Sequence, residues 1–232
     1  MKNDEPIIIA EIANAHQGSP EKAIELAVSS IKSNADVVKF QIYTADELLV
    51  KQHARYSHFK SQSFTFNIWE QILKEIRKYD VKIYADIFGH ESLNFCRQNQ
   101  LDGFKIHSSD IRNYSLISFL SSFNKPILIG SGGSKIEELD EAINCIYSNS
   151  NGSPDITLLH GYQAYPTNIE DTSLERLQKF KCIFGKKVKV GISDHISGDD
   201  FFSYVIPIMS LAYGTSIIEK HEYEKRLEDL ER

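Results

Sequence analysis

The chain has 232 residues, 41% of them hydrophobic and 25% charged, a length and balance that bury one substantial core in a single domain. Its 32 acidic residues outnumber its 26 basic ones, and the net charge of -6 argues against nucleic acid or an anionic membrane as the main partner, because either needs a basic patch. Cys96, Cys145 and Cys182 are odd in number and widely spaced, which fits neither a disulfide framework nor a thiolate metal cage and makes them reduced core residues.

The first six residues lead straight into a short apolar run without a long signal-peptide core, and no apolar stretch approaches about 18 residues, so a cytoplasmic chain without a membrane span is expected. From there a short apolar run, a turn signal and a longer segment of helical spacing repeat along the chain. A strand is expected over 7–12 and a helix over 20–33, then a strand over 37–42. Segment 44–66 is the longest excursion, rich in His53, Arg55, Tyr56, His58 and Lys60, and follows a strand end, where barrel enzymes carry substrate loops. Helices over 67–79, 90–99, 113–123, 134–148, 172–183 and 199–213 then alternate with strands over 82–88, 103–107, 126–130, 156–160, 188–192 and 216–220. Crossover helices force neighbouring strands parallel, and eight strands with seven helices give a (β/α)8 TIM barrel with an absent or shortened eighth helix, a doubly wound sheet being the alternative. Residues 1–232 then form one catalytic domain, and the highly charged tail from 222 to 232 reads as a helical stub. Phe64, Phe66 and Trp69 are expected to pack against the long excursion.

The two-residue period of a strand tells which side chains point inward. Lys39 shares a face with Gln41, Lys105 with His107, Ser193 with His195, and Glu219 with His221. A lysine inside Val-Val-Lys-Phe-Gln or Gly-Phe-Lys-Ile-His is costly to bury without an anion. A phosphate or carboxylate ligand meets that demand; so does pairing with Glu11, Asp86 or Asp110. His195 and His221, each near a carboxylate in sequence (Asp194 and Glu219), suit a borderline divalent cation such as Mn²⁺, Co²⁺, Zn²⁺ or Fe²⁺, with Mg²⁺ less favoured by nitrogen. His160 is a third candidate ligand or else a core histidine.

Seven ordered motifs carry a family resemblance. They are Ala10-Glu11-Ile12-Ala13-Asn14-Ala15-His16-Gln17-Gly18, Val38-Lys39-Phe40-Gln41, Phe104-Lys105-Ile106-His107-Ser108, Lys125-Pro126-Ile127-Leu128, Leu158-Leu159-His160 with Tyr165-Pro166-Thr167, Gly191-Ile192-Ser193-Asp194-His195, and Ile218-Glu219-Lys220-His221. In order and spacing the chain resembles the sialic acid synthase family of N-acetylneuraminate, legionaminate and pseudaminate synthases over residues 7–221. The resemblance implies a TIM barrel, and condensation of phosphoenolpyruvate with an open-chain amino sugar such as N-acetylmannosamine. It makes His195 and His221 ligands of a divalent metal (Mn, Mg, Co or Zn) and sets Lys39, Lys105, Ser108 and Ser193 on the phosphate and carboxylate of phosphoenolpyruvate. Glu11 and Tyr165 match positions facing the acceptor sugar, Gln41 lines the same mouth, and Asp229 matches a further sugar-binding acid. Family members pair as dimers, which makes a homodimer the implied state.

Three departures cluster on the donor side. A family Ser/Thr-Thr-Pro-Phe run reads Ala85-Asp86-Ile87-Phe88, placing a carboxylate where a hydroxyl would meet phosphate. Ser-Thr-Gly-Met reads Gly130-Ser131-Gly132-Gly133, and Cys-Thr-Ser/Asn reads Gly161-Tyr162-Gln163. The family's antifreeze-like domain, which contributes an arginine to the acceptor site, is not expected here, and Arg55 is the candidate replacement. Two other classes stay open: a Schiff-base aldolase or lyase using Lys39 or Lys105, and a non-catalytic sugar-acid-binding barrel.

Overall fold

The computed structural model describes residues 5–222. Eight strands close into one barrel in chain order: β1 (Ile7–Glu11), β2 (Val37–Ile42), β3 (Lys82–Ile87), β4 (Gly103–Ile106), β5 (Ile127–Gly130), β6 (Ile156–His160), β7 (Lys189–Asp194) and β8 (Ile217–His221). Every neighbouring pair is parallel, including the closing pair β1 and β8, where Glu11 lies beside His221. The helices are α1 (Pro20–Lys32), α2 (Ala45–Leu48), α3 (Tyr56–Gln62), α4 (Phe66–Ile76), α5 (His90–Gln98), α6 (Tyr114–Ser121), α7 (Ile136–Asn149), α8 (Glu175–Phe184) and α9 (Phe202–Leu211). The expected TIM barrel is therefore the observed fold.

Local chemistry starts the helices where the sequence signals them. Pro20 opens α1 behind Ser19, whose hydroxyl accepts from Lys22 N at 3.2 Å. The excursion over 44–66 carries two short helices: Thr44 and Glu47 form a capping box that starts α2, and α3 follows. Trp69 is buried on α4, with its ring 5.5 Å from that of Phe40 and 5.1 Å from that of Phe64, which is packing as expected.

Strand alternation divides the buried residues into two sets. Outward-facing strand residues such as Val38, Phe40, Ile83 and Leu158 pack with the helices into the main core. Inward-facing Ile9, Val37, Tyr84, Leu128, Leu159 and Ile217 fill the lower barrel. Glycine makes room there: a Cβ at Gly103 would lie 2.5 Å from the Tyr84 ring, and one at Gly191 would lie 2.6 Å from Leu159. Above this plug the inward positions turn polar.

Of the cysteines only Cys96 is a core residue. Cys145 is half-buried, packed against the edge of the main core, and Cys182 is exposed. Among the described residues, α9 carries Tyr204 and Ile208 with 68% and 67% of their surface in solvent. Among the described residues no helix is long and apolar enough to cross a membrane.

Candidate active site

The carboxyl-terminal mouth holds a buried ionic layer contributed by five strands. Lys39 on β2, with no exposed surface, has its ammonium against Glu11 of β1, 2.9 Å from Asp86 of β3 and 3.4 Å from Glu219 of β8. Lys105 on β4 lies 2.5 Å from Glu219 and 4.0 Å from Asp86. Of the two readings of the buried lysines, internal pairing is thus realised, through Glu11, Asp86 and Glu219. Asp110 takes no part; it sits on the turn beyond β4, where it accepts from Ser109 and Asn113.

Three carboxylates face two ammonium groups in this layer. Burial alone would depress Lys105, but the Asp86 and Glu219 carboxylates outweigh it and hold its pKa above the ordinary lysine value. Glu219, which burial would raise, is held well below the usual carboxylate range by Lys105 and Lys39. In Lys39 burial prevails and lowers the pKa against the pull of Asp86 and Glu219. Glu11 Oε1 is fixed by Ala13 N at 2.8 Å. Ala13 itself has φ 45°, in the left-handed region that costs a residue with a Cβ roughly 1 kcal/mol, so the turn after β1 is strained where it grips the carboxylate.

One layer up, two imidazoles converge. Ser193 donates to Glu219 Oε1 at 2.6 Å and lies 3.1 Å from His195 Nε2. His195 Nδ1 must carry a proton, since its partner at 2.6 Å is the Tyr162 carbonyl, which can only accept. Its Nε2 therefore presents a lone pair to the barrel axis. The His221 ring stands 5.1 Å from that of His195, and both Nε2 atoms reach one point, where the Tyr165 hydroxyl sits 2.7 Å from the first and 3.0 Å from the second. Burial lowers the pKa of both histidines, and the proximity of His195 lowers His221 further, which favours neutral rings. Two convergent neutral nitrogens, one oriented by a carbonyl behind it, fit part of a divalent-cation ligand set. Among the described residues no group of three or more His, Cys, Asp or Glu is placed to hold an ion, so the remaining ligands would be water or substrate oxygen.

Asp194 is not an outer ligand and His160 takes the core-histidine alternative, both for one reason. Strand alternation turns them to the outer face: Asp194 pairs with Lys220, and His160 Nε2 donates to the Thr172 carbonyl at 2.6 Å near the Phe180 ring. Neither approaches the imidazole pair as a ligand.

A cavity of about 690 Å³ opens above the ionic layer. It is lined by Gln41, Arg55, His107, Gln163, Tyr165 and His221 among others. The excursion over 44–66 forms one wall, and Arg55 reaches the cavity with its guanidinium 4.8 Å over Phe59. Gln163 lies across Gly132, where a Cβ would meet its side chain at 2.4 Å. Ser131 is buried and its hydroxyl finds no hydrogen-bond partner among the described residues. Ser108 is half-buried on the single 3₁₀ turn after β4, and Gly130 packs close to its amide. Glu11, by contrast, lies beneath the cavity with no exposed surface. Asp229 lies outside the described residues. Sequence reasoning missed the Tyr162 carbonyl, a backbone group on a loop with no side-chain signature, and Asn14, which accepts from the Tyr43 hydroxyl at 3.0 Å on the cavity wall.

Fold and site together define a (β/α)8-barrel protein with a charged, imidazole-bearing mouth. The chain belongs to the NeuB family, the sialic acid synthase family, whose model matches residues 24–229. An uncharacterized protein of Methanocaldococcus jannaschii is 30% identical over 220 residues, covering 95% of this chain and 63% of that protein. A pseudaminic acid synthase of Campylobacter jejuni is 28% identical, with 92% and 64% covered. This chain thus spans just under two thirds of the length of these curated relatives. The crystal structure of an N-acetylneuraminic acid synthetase from Leptospira borgpetersenii superposes with a TM-score of 0.85 at 24% identity, covering 96% of this chain and 77% of that one, which carries the fold.

Proposed function

We propose that the barrel condenses phosphoenolpyruvate with an open-chain amino sugar of the N-acetylmannosamine type, giving a 2-keto sugar acid and phosphate. The observation that carries this reading is the stacking of Lys39, Lys105, Ser193 and Glu219 directly beneath the His195–His221 pair, with the cavity of about 690 Å³ above. Lys105, kept protonated by its carboxylate neighbours, is a fixed positive charge for the donor's anionic groups. The Ser131 hydroxyl, without a hydrogen-bond partner among the described residues, and the Ser108 hydroxyl would donate to them. Ser193 keeps Glu219 turned toward Lys105 and away from the donor. Gln41, Arg55, Gln163 and Tyr165 line the space for the acceptor, and Glu11 acts from below by holding Lys39. His195 and His221 would hold the divalent cation (Mn²⁺, Mg²⁺, Co²⁺ or Zn²⁺), which when bound supplies polarisation of the acceptor aldehyde.

Phosphate release tests the proposal. Purified protein with Mn²⁺, phosphoenolpyruvate and a panel of amino sugars, phosphorylated ones included, is expected to release phosphate, and Lys105→Met to lower kcat/KM by at least about 100-fold, the range seen on removing one preorganised charge donor. No release with any sugar sinks the proposal. The Schiff-base alternative is disfavoured because Lys105 is held protonated and Lys39 lies fully buried among carboxylates. One observation favours the binding-only reading: Asp86 already neutralises Lys39 at 2.9 Å, as a donor anion would. Thermal stabilisation by a sialic-acid-type ligand, with no turnover, would select it.

A further inference from the structure

Tyr165 occupies a point that both imidazoles claim. Its hydroxyl proton serves one Nε2; since His195 Nε2 carries a lone pair, Tyr165 donates to it at 2.7 Å and accepts from His221 at 3.0 Å. The phenol also packs on both rings, 4.2 Å from the His195 centroid and 5.1 Å from that of His221. Yet the residue is 60% exposed and belongs to the irregular segment after β6. Its hydroxyl and its ring both rest on these histidines.

Tyr165 is also a partition. On one side lies the cavity of about 690 Å³ lined by Gln41, Arg55 and Gln163; on the other lies a cavity of about 250 Å³ lined by Pro166, Asp194, His195, Ser197 and Lys220. Tyr165 and His221 line both. A swing of the ring into either cavity would bare the two nitrogens and open one cavity to the other.

We infer that Tyr165 is a gate on the imidazole pair: it caps both Nε2 atoms in the absence of a divalent cation, and a cation engages them only as the phenol withdraws, which merges the two cavities. The inference rests on the reading of His195 and His221 as metal ligands. Because the cation and the hydroxyl compete for the His195 Nε2 lone pair, and His221 must shift its Nε2 proton to Nδ1 before it can ligate, the capped state lowers apparent cation affinity in proportion to its population. By the same linkage, a bound cation holds the gate open and enlarges the acceptor space.

Cation binding measured directly separates this from its premise. Mn²⁺ is titrated into the wild type, Tyr165→Phe, Tyr165→Ala and His195→Ala, with free ion counted by electron paramagnetic resonance. Tyr165→Phe, which removes both hydrogen bonds and keeps the ring, is expected to bind Mn²⁺ about tenfold more tightly than wild type, and Tyr165→Ala at least as tightly as Tyr165→Phe. The wild type should also show a near-ultraviolet tyrosine difference spectrum on Mn²⁺ addition that is absent from Tyr165→Phe. Wild-type binding that is lost in His195→Ala but no tighter in Tyr165→Phe leaves the metal site standing and overturns the gate. Weaker binding in Tyr165→Phe overturns it too, by making the phenol oxygen a ligand. No Mn²⁺ binding to wild type or either Tyr165 variant removes the metal site and the gate together.

Discussion

A single carboxylate, Asp86, sets the sign of the buried layer. It lies 2.9 Å from Lys39 and 4.0 Å from Lys105, and without it the two remaining acids, Glu11 and Glu219, would balance the two lysines. A unit charge at about 4 Å through an effective dielectric of about 20 is worth roughly 4 kcal/mol against an incoming anion. Asp86→Asn is therefore expected to lower KM for phosphoenolpyruvate by at least about tenfold while Lys39 stays paired with Glu11 and Glu219; an unchanged KM would show that the donor does not meet this carboxylate. His16 gives a separate prediction on stability. It is 1% exposed, its Nδ1 accepts from Gly18 N at 3.1 Å, its ring sits 4.6 Å from Phe64, and burial lowers its pKa from 6.5 to about 4. A base with a depressed folded-state pKa takes up its proton more readily when unfolded, so its contribution is complete above pH 6.5 and is lost as pH falls toward 4. The loss amounts to up to about 3 kcal/mol. His16→Asn, which keeps an acceptor for Gly18, should flatten urea-derived stability between pH 6.5 and 4, and an unaltered slope would refute the assignment.

At the scale of elements, the flap formed by α2 and α3 is tied to α5 by one side chain. Helix α5 begins at Gly89 without a side-chain cap of its own. Glu47 of α2 supplies the cap from across the sheet's mouth, accepting from Glu91 N at 2.8 Å, Ser92 N at 3.1 Å and the Ser92 hydroxyl. Glu47→Ala should cost about 2 kcal/mol in chemical denaturation, the range for a lost cap that leaves donors unpaired. It should also speed amide exchange across 45–62, and protection equal to wild type would separate the flap from this anchor. The sequence foretold the barrel because strand and helix periods are strong signals, and the inward pairs Lys39 with Gln41, Lys105 with His107, Ser193 with His195 and Glu219 with His221 follow from alternation alone. That rule also turns His160 outward, since Leu159 beside it fills the barrel. Illegible were α2 and α3, too short for a periodic pattern, and the Tyr165 contact, made by an irregular segment whose course no local pattern dictates. Which lysine meets which acid depends on strand register, and sequence supplies that only as alternation.

For the molecule as a whole, the site draws on both ends of the described chain: Glu11 stands on the first strand, and Glu219 and His221 on the last, paired side by side at the β1–β8 seam. This seam joins positions more than 200 residues apart, so the loop-closure cost of bringing them together must be met before the contact gives anything back. During synthesis, β1 therefore waits with an unpaired edge, and Lys39 waits without one of its carboxylate partners, until β8 leaves the ribosome. Nascent chains stalled before residue 217 should be protease-sensitive and should not retain Mn²⁺, whereas release of a few tens of residues more should confer both properties in a single step. The polar mouth is thus also the clasp of the fold: a chain halted short of β8 bares the edge of β1 before it can assemble the site.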